Sequence, residues 1–244
     1  MKYFLAFTVF VFAVLLVVHQ SFNLPSPQLT NATPESPSSA VQSKVICIDP
    51  GHPSEVNDGK TVQNGTSEVH IAWVTALKLQ KLLEAKGYQV VLTKAEENQL
   101  VRNKERALIA NRANAALTIR LHCDAFAGRG FAIYYPDRQG TKEGTTGPSK
   151  EVIERSQKAA TVLHTEMARV LNGVLKDRGI MGDSKTLVGS KQGALTGSIF
   201  SNVPIITVEM VVLSDKQDAE FIKTEDGQQQ MARAIAEGVE KFVR

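Results

Sequence analysis

The chain has 244 residues, a formal net charge of +3 at pH 7 and an apolar fraction of 43%. This length suits one large domain or two small ones, and the apolar fraction excludes a chain that is disordered throughout. The small net charge argues against a protein that binds nucleic acid through bulk electrostatics. Two cysteines exclude both a disulfide-dense scaffold and a four-cysteine zinc site.

The N-terminus carries the only long apolar run of the sequence, residues 3–18, which follows a single lysine. One such run excludes a multi-pass membrane protein. Its length suits the apolar core of a signal peptide and falls slightly short of the roughly 20 residues of a membrane-spanning helix. We therefore predict that residues 1–23 are either a cleaved signal peptide or an uncleaved signal anchor. Both would send the rest of the chain out of the cytoplasm.

Residues 24–43 contain four of the nine prolines and five serines, and they offer almost nothing to bury. This composition is typical of an extended, solvated linker. We predict a flexible linker over residues 24–43 and one folded domain over residues 44–244.

The folded part alternates short β-branched runs with amphipathic helical patterns. In chain order, the patterns predict a strand at 45–48, a helix at 68–86, a strand at 88–93, a helix at 104–115, strands at 117–121 and 131–135, a helix at 152–175, a strand at 205–208 and two closing helices. The alternation predicts a single α/β domain with a mostly parallel twisted sheet, flanked by helices on both faces.

Polar side chains lie where several of these predicted strands end. His52 follows the first strand, His122 ends the third, Glu209 ends the strand at 205–208, and Glu68 opens the first helix. Ligands of open α/β sheets bind outside the carboxyl ends of the strands. We therefore expect the two histidines and the two glutamates to converge at one edge of the sheet.

Two histidines and a glutamate are a common ligand set for catalytic zinc, which leaves a fourth position for water. The metal brings the pKa of that water down to about 7, and a second carboxylate can then accept its proton. In this interpretation His52, Glu68 and His122 bind zinc, and Glu209 is the general base. The ligands are 16 and 54 residues apart, so their spacing alone does not establish the site.

Each of these residues also has a purely structural interpretation. A histidine after Pro-Gly is usually a turn residue, a glutamate that opens a helix favours the helix dipole, and His122 could be a core histidine. Glu209 is harder to explain in this way, because it interrupts an apolar run and a buried carboxylate is costly without a partner. We interpret Glu55 and His70 as non-ligands and His164 as structural.

Four motifs follow one another along the domain: IDPGH at 48–52, Glu68 at the start of a helix, IRLHCDA at 119–125 and VPIITVE at 203–209. In order and spacing they resemble the zinc-dependent N-acetylmuramoyl-L-alanine amidases of the type-3 amidase family, along nearly all of residues 44–244. The resemblance implies one Zn²⁺ per chain at His52, Glu68 and His122, catalysis by Glu209, and peptidoglycan as the substrate. The bond cut would be the amide between N-acetylmuramic acid and L-alanine of the stem peptide.

The chain departs from the family pattern beside these motifs. Pro53 and Ser54 replace a Gly-Gly pair, Arg120 replaces a serine before the second histidine, Asp124 replaces an asparagine after it, and residues 210–211 replace a Gly-Phe pair. None of these changes removes a ligand or the base. We expect them to affect loop shape and substrate preference.

Two alternatives remain open: a zinc peptidase acting on the stem peptide, and a non-catalytic cell-wall-binding module on the same fold. The second would be expected to lack a ligand or the base, and all four residues are present. We expect a monomer in the periplasm or cell envelope, with an N-terminal membrane anchor if the signal is retained.

The surroundings of the site give three further expectations. Residues 137–150 are too few for a loop plus a helix covering the metal, so we expect a site open to solvent. Residues 176–202 lack periodicity and are a candidate lid. We expect Cys47 and Cys123 to be buried free thiols.

Overall fold

The computed structural model describes residues 43–126 and 128–244. The predictions of a signal peptide or anchor over residues 1–23, and of a linker up to residue 42, therefore lie outside the described residues. Within the described ranges, no helix combines the length and apolarity needed to cross a membrane.

The domain contains ten strands and seven α-helices in its described part. The strands are β1 (Val45–Pro50), β2 (Val62–Gln63), β3 (Thr66–Ser67), β4 (Gln89–Leu92), β5 (Leu117–Asp124), β6 (Phe131–Tyr135), β7 (Gly140–Lys142), β8 (Thr145–Gly147), β9 (Asp177–Gly182) and β10 (Ile205–Val212). The helices are α1 (Glu68–Ala85), α2 (Asn103–Arg112), α3 (Lys150–Val170), α4 (Gly189–Gln192), α5 (Thr196–Ile199), α6 (Lys216–Lys223) and α7 (Glu225–Val243), with a 3₁₀ turn at Asp183–Lys185.

Six strands form the central sheet in the order β4-β1-β5-β10-β6-β9. Strands β4, β1, β5 and β10 are parallel to one another, whereas β6 is antiparallel to β10 and parallel to β9. The prediction of an α/β domain with a mostly parallel sheet is therefore confirmed. Strands β2 and β3 form one small hairpin, and β7 and β8 form another.

The two faces of the sheet differ in polarity because successive side chains of a strand point to opposite faces. On one face, apolar residues such as Ile48, Ile119 and Val208 pack with buried residues of α1, α3 and α7. The opposite face carries α2 and α5, which contribute two smaller apolar clusters. The central strands also place polar side chains on this second face: Asp49, Arg120, His122, Thr207 and Glu209.

Strands β5 and β10 continue to Asp124 and Val212, beyond their predicted ends at residues 121 and 208. His122 and Glu209 consequently lie inside strands and not at their ends, which corrects the prediction. The two strands pair directly through these residues, and the pairing resumes after an irregularity at Val212 with Asp124. The apolar residues that follow Glu209 are buried, so the longer strand exposes no apolar surface to solvent.

The stretch at 176–202 is more ordered than its sequence pattern predicts. It begins with β9, an edge strand of the main sheet, and continues through the 3₁₀ turn, α4 and α5. The prediction that the whole stretch could form a lid is therefore wrong, because the first residues of the stretch belong to the sheet. Residues 137–150 form the hairpin of β7 and β8 and carry no covering helix, as expected. Cys47 and Cys123 are buried free thiols, as expected.

Candidate metal centre and active site

The three predicted metal ligands come from separate elements and meet at one point. His52 lies in the loop after β1, Glu68 is the first residue of α1, and His122 lies within β5. One donor atom of each lies within 4.8 Å of the donor atoms of the other two. His52 Nε2 is 3.2 Å from Glu68 Oε2, and His122 Nδ1 is 2.8 Å from Glu68 Oε1. The imidazole rings are edge to face, with centroids 5.0 Å apart.

Backbone groups hold two of these side chains in position. His52 Nδ1 donates to the carbonyl oxygen of Asn57 at 3.0 Å. In a neutral ring this hydrogen bond places the proton on Nδ1 and leaves the lone pair of Nε2 available to a metal ion. Glu68 Oε1 also accepts from the backbone N–H of Cys123 at 3.2 Å. Such outer contacts orient the ligands of metal sites.

The third candidate ligand, His122, packs closely against a glycine. A Cβ atom built on Gly51 would lie 2.5 Å from Cε1 of the His122 imidazole, far inside the contact distance. The glycine in the IDPGH motif therefore lets the backbone after β1 approach this ring closely.

The donor set fits a divalent zinc ion. Two imidazoles and one carboxylate are a typical set of three protein ligands for catalytic zinc. In the part of the chain that the structure describes, His122 Nε2 and Glu209 Oε2 are buried polar atoms without a hydrogen-bond partner. Unsatisfied polar atoms are costly in a protein interior, and their presence here favours a functional site over a structural one.

The electrostatics of the cluster follow from burial and from Glu68. Burial lowers the pKa of His122 to about 4 despite the opposing contact with Glu68, so the ring is neutral at pH 7, as a metal ligand must be. Burial opposes the ionisation of Glu68, but hydrogen bonds from His122 and His52 outweigh it and lower its pKa. Glu68 likewise raises the pKa of His52 against the effect of burial. A bound cation would act against protonation of His52.

Glu209 lies beside the cluster but outside it. It pairs with His122 in the register of β10 and β5, and it is not one of the three residues whose donor atoms converge. Burial raises its pKa well above the ordinary range, and the carboxylates of Asp124 and Glu68 raise it further. A cation held by His52, Glu68 and His122 would favour the ionised form of Glu209, and a carboxylate whose pKa burial raises is a stronger base than an exposed one.

A cavity of about 440 Å³ opens onto these residues. His52, His122 and Glu209 line it together with Arg120 and Thr207. Four apolar residues that line it are exposed to solvent: Val56, Phe126, Leu187 and Val188. The histidine side chains are themselves 11% and 14% exposed, so the site is accessible from solvent.

The other titratable candidates lie in different surroundings. Glu55 accepts a hydrogen bond from the backbone N–H of Asn103 at the start of α2. His70 contacts Glu97 at the surface, at 3.3 Å. His164 contacts Asp177 at 2.8 Å. Each therefore has a local polar partner, and none belongs to the cluster of donor atoms.

One residue beside the site, Arg178, has no counterpart among the sequence predictions. It lies on β9 and donates to Asp124 Oδ2 at 2.7 Å, and its guanidinium lies 4.6 Å from the centre of the Phe126 ring. Sequence reasoning missed it because β9 has no recognisable strand pattern. The acidic substitution at Asp124 in the IRLHCDA motif is the signal that a cationic partner is required.

Comparison with known proteins agrees with this geometry. The model of the Amidase_3 family, described as N-acetylmuramoyl-L-alanine amidase, matches residues 46–241. The chain is 25% identical over 240 residues to an N-acetylmuramoyl-L-alanine amidase of Mycobacterium tuberculosis, which covers 87% of this chain and 90% of that protein. It is also 25% identical over 227 residues to the amidase AmiC of Neisseria meningitidis, covering 82% of this chain and about half, 52%, of that longer protein.

Solved structures share the fold. The amidase Ami1 from Mycobacterium smegmatis superimposes with a TM-score of 0.68 at 20% identity, covering 83% of this chain and 98% of that one. The family match extends over most of the described domain and includes all four candidate site residues. The chain therefore belongs to the Amidase_3 family, the N-acetylmuramoyl-L-alanine amidases.

Proposed function

We propose that this protein is a zinc-dependent peptidoglycan hydrolase that cleaves the amide bond between N-acetylmuramic acid and L-alanine of the stem peptide. The observation that carries the proposal is the convergence of His52, Glu68 and His122, with Glu209 on the neighbouring strand. Membership of the amidase family and the names of its relatives support the same reaction.

His52, Glu68 and His122 would hold the zinc ion. When bound, zinc supplies Lewis acidity that lowers the pKa of water to about 7 and polarises a carbonyl group. Their outer contacts keep the ligands oriented: the Asn57 carbonyl for His52, and the Cys123 N–H for Glu68.

Glu209 would move the protons of the reaction. Its carboxylate accepts a proton as water attacks the amide carbonyl, and it returns one to the nitrogen of L-alanine as the C–N bond breaks. An amine leaves readily only when it is protonated, so one buried carboxyl group serves both steps. Water thus supplies the hydroxyl group of the muramic acid carboxyl and the proton of the new L-alanine amine.

We further propose that residues 1–23 export the protein as a signal peptide or signal anchor, and that residues 24–43 link this segment to the catalytic domain. Composition supports this organisation: an uncharged apolar run is followed by a segment rich in proline and serine. The domain would then act in the periplasm or cell envelope, where its substrate lies.

Two measurements on one preparation test the proposed function. We expect about one zinc ion per chain by elemental analysis, and intact stem peptides with a free L-alanine amine after digestion of muropeptides. Removal of the metal by a chelator should abolish release, and added Zn²⁺ should restore it. Shortened stem peptides would instead indicate a peptidase, and wall binding without any product would indicate a non-catalytic module.

A further inference from the structure

A buried basic side chain, Arg120, lines the cavity beside the candidate metal centre. It lies on β5 two residues before His122, so both side chains leave the same face of the sheet. Its neighbour in β10 is Thr207, which also lines the cavity. The type-3 amidase pattern has a serine at this position, so the guanidinium is a feature of this chain.

Two hydrogen bonds fix the guanidinium of Arg120 in place. Nε donates to Asp49 Oδ2 at 2.9 Å, and Nη2 donates to Asn103 Oδ1 at 2.8 Å. Gly197 lies against one side of the group, where an added Cβ would be in ordinary contact at 3.5 Å. The Arg120 side chain is only 6% exposed. The guanidinium of Arg120 is therefore fixed in position, unlike that of a mobile surface arginine.

The charge of Arg120 is incompletely neutralised. The carboxylate of Asp49 also accepts from Arg106, so that one buried anion serves two buried cations. Arg106 fills its remaining positions with the backbone carbonyls of Pro50, Pro53 and Val101. Across residues 43–126 and 128–244, Asp49 is the only acidic residue that hydrogen-bonds Arg120.

The donors of Arg120 are also incompletely used. A guanidinium has five N–H donors in a planar fork. Protein groups accept from Nε and from Nη2, and the described residues supply no acceptor to Nη1. A nine-tenths buried cation therefore lines the cavity with unused donors. A planar anion that accepts two parallel hydrogen bonds matches these donors.

We propose that Arg120 binds a carboxylate of the stem peptide and makes the enzyme select stem peptides that carry a free carboxylate on the residue after L-alanine. This inference rests on the proposed amidase function. The only carboxyl group of N-acetylmuramic acid is consumed in the bond to be cleaved, so a nearby anion must lie on the peptide side. Residues two apart on a strand are about 7 Å apart, a reach that suits a group one residue beyond the scissile amide.

A matched pair of substrates tests this selectivity. The probes are N-acetylmuramoyl tripeptides that end in a carboxamide and differ only in the second residue, γ-linked D-glutamate, which carries either a free α-carboxylate or a carboxamide. We expect the wild-type kcat/KM to be at least about tenfold higher for the carboxylate, since a charge-assisted hydrogen bond is absent with the amide. Arg120→Gln should process the two substrates within about twofold of each other.

Two further variants separate recognition from general charge and from folding. Arg102→Gln removes an exposed cation from the neighbouring groove and should keep the wild-type preference. Arg120→Lys keeps the charge but not the planar fork, and should retain only part of the preference. If Arg120→Gln fails to fold, the comparison of wild type with Arg120→Lys decides. A purely structural role for Arg120 would change activity on both substrates equally.

The outcomes distinguish this inference from the proposed function. Equal wild-type turnover of both substrates, or an undiminished preference in Arg120→Gln, overturns the role of Arg120. If the wild type releases no stem peptide from either substrate, the proposed function fails. The role of Arg120 is then decided by calorimetric titration of the two free tripeptides: tighter binding of the carboxylate that Arg120→Gln abolishes supports it, and equal binding overturns it.

Discussion

At the residue scale, Glu209 and the three candidate ligands should respond differently to substitution. Glu209→Gln keeps the size of the side chain but cannot accept a proton. We expect zinc content near one per chain, an unchanged melting temperature and a loss of activity on the order of 10²–10⁴-fold. Elemental analysis, thermal unfolding and muropeptide release from the same preparation measure the three quantities.

The matched variant is His122→Ala, which removes a candidate ligand and should lower zinc content and activity together. If Glu209 were a fourth ligand of a closed structural site, Glu209→Gln would lose metal and stability together. Full activity of Glu209→Gln with retained zinc would refute its assignment as the general base.

Gly51, which lies against the His122 ring, should be sensitive to the addition of a single methyl group. In Gly51→Ala the new methyl group would overlap the imidazole, so the ring must shift from its present position 2.8 Å from Glu68. We expect zinc affinity to fall about 10- to 100-fold, as it does when a group that orients a ligand is removed. Competition with a chelator of known affinity measures it. Gly197→Ala is the control, because its Cβ has ordinary contacts only; equal affinities in the two variants would contradict this explanation.

The residues of this site are predictable from sequence, whereas their surroundings are not. Polar residues that interrupt β-branched runs indicate His122 and Glu209, and the IDPGH motif indicates His52. Arg178 and Asn57 carry no such signal, because one lies on an unpredicted edge strand and the other contributes only its backbone carbonyl. A contact made by a backbone carbonyl does not require a particular residue type, so the sequence does not reveal it.

At the element scale, the segment after β9 depends on a buried carboxyl group. Asp183 begins the 3₁₀ turn and accepts hydrogen bonds from Ser198 Oγ at 2.6 Å and from the backbone N–H of Leu195 at 3.2 Å. These bonds tie the turn to α5. Burial raises the pKa of Asp183 to about 6 despite them. The folded state therefore disfavours the charged form.

This raised pKa predicts how stability changes with pH. The penalty is absent below the ordinary aspartate pKa of about 3.9, grows as pH rises, and is complete above about pH 6. Asp183→Asn keeps an acceptor but carries no charge. We expect it to be about 3 kcal/mol more stable than the wild type above pH 6, and equally stable near pH 4. Denaturant unfolding across pH 4–8 measures the difference.

Asp137, which contacts the same turn through Ser184, provides a control whose pKa is shifted in the opposite direction. Burial opposes its ionisation, but hydrogen bonds from Ser184 outweigh it and lower the pKa of Asp137. The stability that ionised Asp137 contributes is present above about pH 4 and is lost as pH falls through its folded pKa. Asp137→Asn should therefore destabilise the protein at neutral pH. A pH-independent difference for Asp183→Asn would show that its effect is not electrostatic.

The elements that sequence predicts best are those with a strong apolar period. The predicted bounds of strand β1 and helix α1 agree with the structure within two residues at each end, because their buried positions are continuously apolar or helically spaced. Strand β9 is not predicted because it is a partly exposed edge strand with glycines at positions 179 and 182. Its position is set by pairing with β6, a long-range contact that no local pattern records.

At the scale of the whole molecule, the alternation of side chains along the central strands separates the residues that stabilise the fold from those that line the candidate site. Alternate residues of β1, β5 and β10 supply an apolar face beneath α1, α3 and α7. In β5 and β10, polar residues between them line the cavity: Arg120, His122, Thr207 and Glu209. The first set needs only to be apolar, whereas the second needs defined donors and acceptors. Sequence patterns therefore predict the fold more completely than the substrate contacts.

The described domain should fold independently of the segment that precedes it. The main apolar core consists of residues between Ile46 and Phe242, so a chain that begins at Lys44 retains all of it. Such a chain lacks the 3.2 Å hydrogen bond that the backbone N–H of Val45 donates to Ser43 Oγ, at the start of β1.

We expect the chain that begins at Lys44 to melt within about 6 °C of the full chain, since this part-buried terminal hydrogen bond contributes about 0.5–1.5 kcal/mol. It should bind one zinc and release stem peptides from soluble muropeptides at the same rate, because the linker is proposed only to position the domain. Limited proteolysis of the full chain should cut first within residues 24–43 and leave this same fragment. A shortened chain that unfolds, or that folds without activity, would show that the N-terminal residues belong to the catalytic domain.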